Sequence, residues 1–159
     1  MKFVPLLLAG LLAMAGAGTA LAQAPASDAH ASHAHDEAHE MVVHKTPWCG
    51  CCANWVEHIE AAGFAVRVEE HEDISAIKAE AGVPGDLQSC HTARVNGYVI
   101  EGHVPAEDIA RLLAEGPDAL GLAVPGMPAG SPGMEVPGRS DAYEVVLFSE
   151  EGREVFARH

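Results

Sequence analysis

Trp48-Cys49-Gly50-Cys51-Cys52 gathers three of the chain's four cysteines, and the fourth, Cys90, stands alone further on. A short apolar run, Met41-Val42-Val43, lies just before this stretch, and an amphipathic helix opens within it. The cysteines therefore fall where a strand gives way to a helix. A helix N-terminus presents free N–H groups and partial positive charge, which stabilise thiolates. Two chemistries fit. Cys49 and Cys52 have the CxxC spacing of thiol–disulfide exchange. With Cys51 the run becomes CxCC, in which neighbouring thiolates can share soft metal ions.

Outward from this stretch the punctuation is regular. Cys52, Trp55, Val56, Ile59 and Ala62 share one face of a helix predicted over 51–62, and Gly63 is a natural stop. Residues 64–69 alternate as a strand does. Asp73 is placed to cap a second helix over 74–81, ended by Gly82. A loop then leads to Cys90-His91. Residues 92–95 and 98–102 read as strands joined by Asn96-Gly97, a hairpin turn signal. Pro105 starts a third helix, with Glu107 and Asp108 in its first turn and Ile109, Leu112 and Leu113 on its apolar stripe. Gly116-Pro117 ends it. Residues 117–141, rich in proline and glycine, read as one long irregular loop, of the kind that is either functional or disordered. A second hairpin over 143–157, turning at Glu151-Gly152, closes the chain.

The order β-α-β-α-β-β-α is that of the thioredoxin fold, and Trp48-Cys49-Gly50-x-Cys52 resembles a thioredoxin active-site motif at the same junction. The expected fold class is α/β, a thioredoxin-like core over 41–116 with the loop and C-terminal β-hairpin extension, 117–159, packed on the same domain. One departure stands out. Thioredoxin-like oxidoreductases place a cis-proline before the third strand, and here Ser89-Cys90-His91 contains none. In that fold order Cys90 faces the CxCC run across a narrow gap, giving a site of four thiols.

Ahead of the core, Phe3 to Gly18 is apolar and small, Lys2 is a thin positive flank, and Ala20-Leu21-Ala22 reads as a cleavage site. This predicts a signal peptide over 1–22, export to the periplasm and no membrane attachment after cleavage. Residues 23–40 have the composition of a disordered linker and carry His30, His33, His35 and His39. Neutral imidazoles suit Cu(II), Zn(II) and Ni(II). The segment is either a weak metal-collecting arm or a low-complexity tail. The formal charge of −14 argues against nucleic acid or anionic membranes as partners and is compatible with attracting cations.

Four ordered motifs resemble the CopG-like family, associated with bacterial copper resistance and long catalogued as a domain of unknown function. They are the run from His44 to Cys52, Ser89-Cys90-His91-Thr92-Ala93, Val99-Ile100-Glu101-Gly102-His103-Val104-Pro105, and the loop carrying Gly126-Met127-Pro128 and Ser131-Pro132-Gly133-Met134-Glu135. The resemblance implies an exported thioredoxin-like domain that binds copper through Cys49, Cys51, Cys52 and Cys90. The histidine-rich arm lies outside these motifs.

On chemistry, Cu(I) prefers soft sulfur and low coordination number, so adjacent bridging thiolates can hold more than one ion. The expected function is copper binding, as a Cu(I) cluster, with copper redox activity open. Met127 and Met134 lie in the stiff Pro/Gly loop; their thioethers suit Cu(I), although both can equally serve as gap-fillers. Met127 joins the cysteines as a candidate ligand. His91 and His103 read as hydrogen-bonding or surface residues that could also ligate. A single zinc on the four cysteines is one alternative. Another is a thiol–disulfide oxidoreductase with Cys49 attacking and Cys52 resolving. No residue pattern marks catalytic turnover. Copper ions are the expected partners, with periplasmic copper carriers or exporters beyond them.

Overall fold

In the computed structural model, residues 40–159 are described, as one compact unit. The signal peptide read over 1–22 and the linker read over 23–40 lie outside them, except that Glu40 opens the first strand.

Among the described residues, a seven-stranded mixed sheet and three α-helices form, with a short 3-10 turn at Gly85–Leu87. The elements are β1 (Glu40–Lys45), α1 (Gly50–Ala61), β2 (Ala65–Glu70), α2 (Ser75–Glu80), β3 (Thr92–Val95), β4 (Tyr98–Glu101), α3 (Ala106–Glu115), β5 (Gly121–Ala123), β6 (Glu144–Phe148) and β7 (Arg153–Arg158). They are laid out in the order β2-β1-β3-β4-β5-β6-β7. β1 runs parallel to β2 and antiparallel to β3, which pairs antiparallel with β4.

Local chemistry accounts for the boundaries. Asn96 and Gly97 both take positive φ, 47° and 84°, as a tight two-residue hairpin demands. Gly116 ends α3 in the left-handed conformation. Asp73 accepts hydrogen bonds from the Ser75 backbone N–H and hydroxyl, but the helix boundary position is Ile74, so the aspartate closes a turn just ahead of α2.

The long irregular loop expected over 117–141 is only partly irregular. Gly121–Ala123 forms β5, parallel to β4 and antiparallel to β6. A Cβ on Gly121 would lie 1.8 Å from the Val99 carbonyl oxygen, so glycine is required for β5 to seat against β4. The closing hairpin extends the same sheet through β6 and β7.

Alternation along the strands sends residues to two faces. Met41 and Val43 of β1 pack with Trp55, Val56 and Ile59 of α1 and with Ile109 and Leu112 of α3. Trp55 is wholly buried and its indole N–H donates to the Val104 carbonyl at 2.9 Å. The opposite face carries a smaller apolar cluster, including Val83, Leu87, Val99 and Phe148. It also carries a polar row, because cross-strand partners share a face: Glu69 pairs with His44, His44 with Thr92, and Thr92 with Glu101.

Candidate metal centre

The chain leaves β1 through Thr46 and turns tightly, with the Cys49 N–H donating to the Thr46 carbonyl at 3.1 Å. Cys49 is the extended residue ahead of α1, and no side chain caps the helix start. The helix start, with its partial positive charge, thus lies in the cysteine run itself. Cys49 and Cys52 are joined as a disulfide, and Cys51 and Cys90 are free thiols. Cys51 Sγ lies 3.5 Å from Cys49 Sγ and 3.9 Å from Cys90 Sγ. All four sulfurs fall within 4.8 Å of one another, with Cys52 buried and the rest half-buried.

Cys90 is held there by a buried ion pair. Glu101 accepts from the Ser89 N–H at 2.6 Å, from Lys78 Nζ at 2.6 Å and from the Thr92 hydroxyl at 2.7 Å. One carboxylate thus fixes the backbone beside Cys90 and neutralises the lysine that α2 inserts. Burial, and then the sulfur of Cys51, push the Cys90 thiol up to about 12.

Two histidines complete the centre, and both are buried rather than at the surface. His103 Nδ1 sits 2.8 Å from the Pro132 carbonyl. A carbonyl only accepts, so the proton is on Nδ1 and the Nε2 lone pair is left to act as an acceptor or ligand. That Nε2 lies 3.0 Å from Cys90 Sγ. Burial lowers the His103 pKa, which favours this neutral ring. His91 packs between Trp55, at 4.3 Å between ring centroids, and His103, at 5.1 Å. Its Nδ1 is 3.4 Å from Cys90 Sγ, and its Nε2 has no hydrogen-bond partner among the described residues. Burial, with His103 and Lys78 nearby, keeps the His91 pKa well below normal.

The Pro/Gly loop closes over this centre from the other side. Gly133 lies against the start of α1, where a Cβ would come within 2.7 Å of the Cys51 carbonyl oxygen, and its φ is +81°. The Ser89 hydroxyl bonds the Gly126 carbonyl, so Met127 follows directly on a backbone contact beside Cys90. Its side chain is 53% exposed, and Met134 is half-buried. Trp48, 67% exposed, stands on the open side. The convergence of CxCC on Cys90 agrees with the fold-order expectation. The sequence offers His103 only as a secondary candidate, because the Pro132 carbonyl that sets its tautomer carries no signal there.

Sulfur-rich, imidazole-flanked and half-open, this is a candidate metal centre on a mixed α/β domain. The family described as "Protein of unknown function, DUF411" matches residues 87–134. Two solved structures titled "Copper resistance protein copG", Form 2 and Form 1, are each 48% identical to the chain. They superpose with TM-scores of 0.73 and 0.72, over 76% of this chain and 98% and 97% of theirs. No curated protein matches. The chain belongs to the copper resistance protein CopG family.

Proposed function

We propose that this is an exported, periplasmic copper-handling protein that holds Cu(I), more than one ion per chain, on the thiolates of Cys49, Cys51, Cys52 and Cys90. The observation that carries the reading is the convergence of four sulfurs within 4.8 Å. Thiolate sulfur is the ligand type that selects Cu(I), and adjacent thiolates can each bridge two ions. His103 Nε2 adds a lone pair at Cys90, and Met127, next in sequence to the Gly126 that Ser89 contacts, is the thioether candidate of the loop. The sheet order β2-β1-β3-β4, with α1 leading from the cysteines, supports a thioredoxin-like core carrying this site.

Loading all four sulfurs requires the Cys49–Cys52 bond to be reduced. Two electrons and two protons from a donor such as a dithiol give two thiols, whose protons leave as metal binds. The disulfide also favours a second reading, thiol–disulfide exchange. An incoming thiolate would attack the half-buried Cys49 sulfur and expel the buried Cys52 thiolate.

Anaerobic metal analysis of the reduced chain, with thiols counted before and after copper removal, separates the two. More than one copper per chain, with thiols shielded until it is removed, is the expected result. A reduced chain that takes up no copper and turns over disulfides would transfer the assignment to exchange. One zinc per chain would make the centre structural.

A further inference from the structure

A second cluster of ligand atoms lies on the other face of β1. His44 points away from the α1 core, since it alternates with Val43. Its register partner across the parallel ladder is Glu69 of β2. Two residues on, the His71 N–H donates to the Lys45 carbonyl at 3.0 Å, extending the ladder and fixing where the His71 ring stands. Three side chains converge as a result. His44 Nδ1 is 3.2 Å from His71 Nε2 and 3.3 Å from Glu69 Oε2, and His71 Nε2 is 3.9 Å from the same oxygen.

Hydrogen bonding alone is a poor account of this grouping. His44 Nδ1 faces a ring nitrogen and a carboxylate oxygen at once, and one N–H cannot serve both well. At 3.9 Å, His71 and Glu69 make no good bond with each other. Three electron-rich atoms therefore crowd a space that a cation would reconcile. Two of the three separations suit one: metal–nitrogen and metal–oxygen bonds of about 2.0–2.1 Å in a tetrahedral site put neighbouring donors roughly 3.3–3.4 Å apart, and the 3.9 Å pair corresponds to a wider angle at the ion. The carboxylate is also held by its outer oxygen, because Arg67 bonds Glu69 Oε1 and leaves Oε2 toward the imidazoles. All three side chains are half-buried, open enough for an ion to enter.

We propose that His44, Glu69 and His71 form a second metal site, for a divalent first-row ion, separate in chemistry from the cysteine centre. Two neutral imidazoles and a carboxylate make a borderline donor set, suited to Cu(II) or Zn(II) and unsuited to Cu(I). Among divalent ions Cu(II) binds such a set most tightly.

Cu(II) alone is the probe, read by electron paramagnetic resonance. Cu(I) on sulfur gives no signal, so the spectrum counts Cu(II) on nitrogen and oxygen. The chain used is full length with His30→Asn, His33→Asn, His35→Asn and His39→Asn, which removes imidazoles of the N-terminal arm. The expected result is one bound Cu(II) per chain with coupling to two nitrogens. His44→Gln and His71→Gln each abolish that signal, and Glu69→Gln weakens binding about 10-fold or more. Thermal melts of the variants match the parent, and Cu(I) uptake by the cysteines, measured on separate reduced, anaerobic samples of each variant, is unchanged. A parent without the signal, or a signal that survives both histidine substitutions, overturns the proposal. Loss of sulfur-bound copper in the parent bears only on the cysteine centre.

Discussion

One strand presents two different donor sets. At its C-terminal end β1 delivers the chain into the turn that holds Cys49, Cys51 and Cys52, where Cys90 meets them. On the face turned from α1 it presents His44 to Glu69 and His71. The first set is soft sulfur backed by a buried ion pair. The second is imidazole and carboxylate, supported mainly by ladder register. The cysteine centre thus depends on distant parts of the chain, whereas the histidine cluster depends on two neighbouring strands. Disturbing the fold far from β1 should therefore damage one and spare the other.

The largest effect is expected from the sulfurs. Cys90→Ser should strip copper from the cysteine centre beyond the roughly 10–100-fold that outer-shell changes cost. The check is anaerobic metal analysis, and retention of the full copper count would remove Cys90 from the ligand set. Next comes the carboxylate behind it. Glu101→Ala leaves Lys78 buried and unpaired, a loss of about 3–5 kcal/mol by denaturant unfolding. Lys78→Met combined with Glu101→Gln should recover part of that loss. A single Glu101 variant as stable as the parent would show that the pair does not hold the Cys90 loop.

Gly133→Ala sharpens the contrast at smaller cost. Strain at its positive φ, with a Cβ driven toward Cys51 and Trp55, should cost about 1–3 kcal/mol. Copper affinity at the cysteines should fall, because the adjacent Pro132 carbonyl orients His103. Cu(II) binding at His44 and His71 should not change; equal losses at both sites would mean that the loop supports the whole sheet. The smallest effect lies at the far edge. Burial, then Glu107 and Asp108, raise the Tyr143 pKa from 10 to about 12. Above pH 10 the unfolded chain releases this proton while the folded chain keeps it, so stability falls as pH climbs toward 12. Tyr143→Phe should flatten that part of the stability curve without altering either site.

Much of this arrangement was legible before the structure, for identifiable reasons. The cysteine junction, the Asn96-Gly97 turn and the glycine stops at Gly63, Gly82 and Gly116 are local signals, and the elements fall close to where they pointed. The approach of Cys90 to the CxCC run followed from element order. β5 was hidden because Gly121–Ala123 is three residues long inside Pro/Gly-rich composition, and its pairing to β4 and β6 is supplied by distant chain. His103 was underestimated because its tautomer depends on a carbonyl 29 positions away. His71 was missed because it meets His44 only once the parallel register of β1 and β2 is known. Local chemistry reads out locally, and convergence across strands does not.

The alternation of β1 has a consequence for how this chain tolerates insertions. Val43 faces the core and His44 the opposite side, so one residue added after Val42 would exchange the two for everything upstream or downstream of it. Either the apolar residues leave the core or the imidazole and the cysteine turn are displaced together. Two added residues restore the phase and only lengthen the strand. Reading-frame-preserving insertions here should therefore be tolerated in pairs and rejected singly, a parity rule that substitution scanning alone would never reveal.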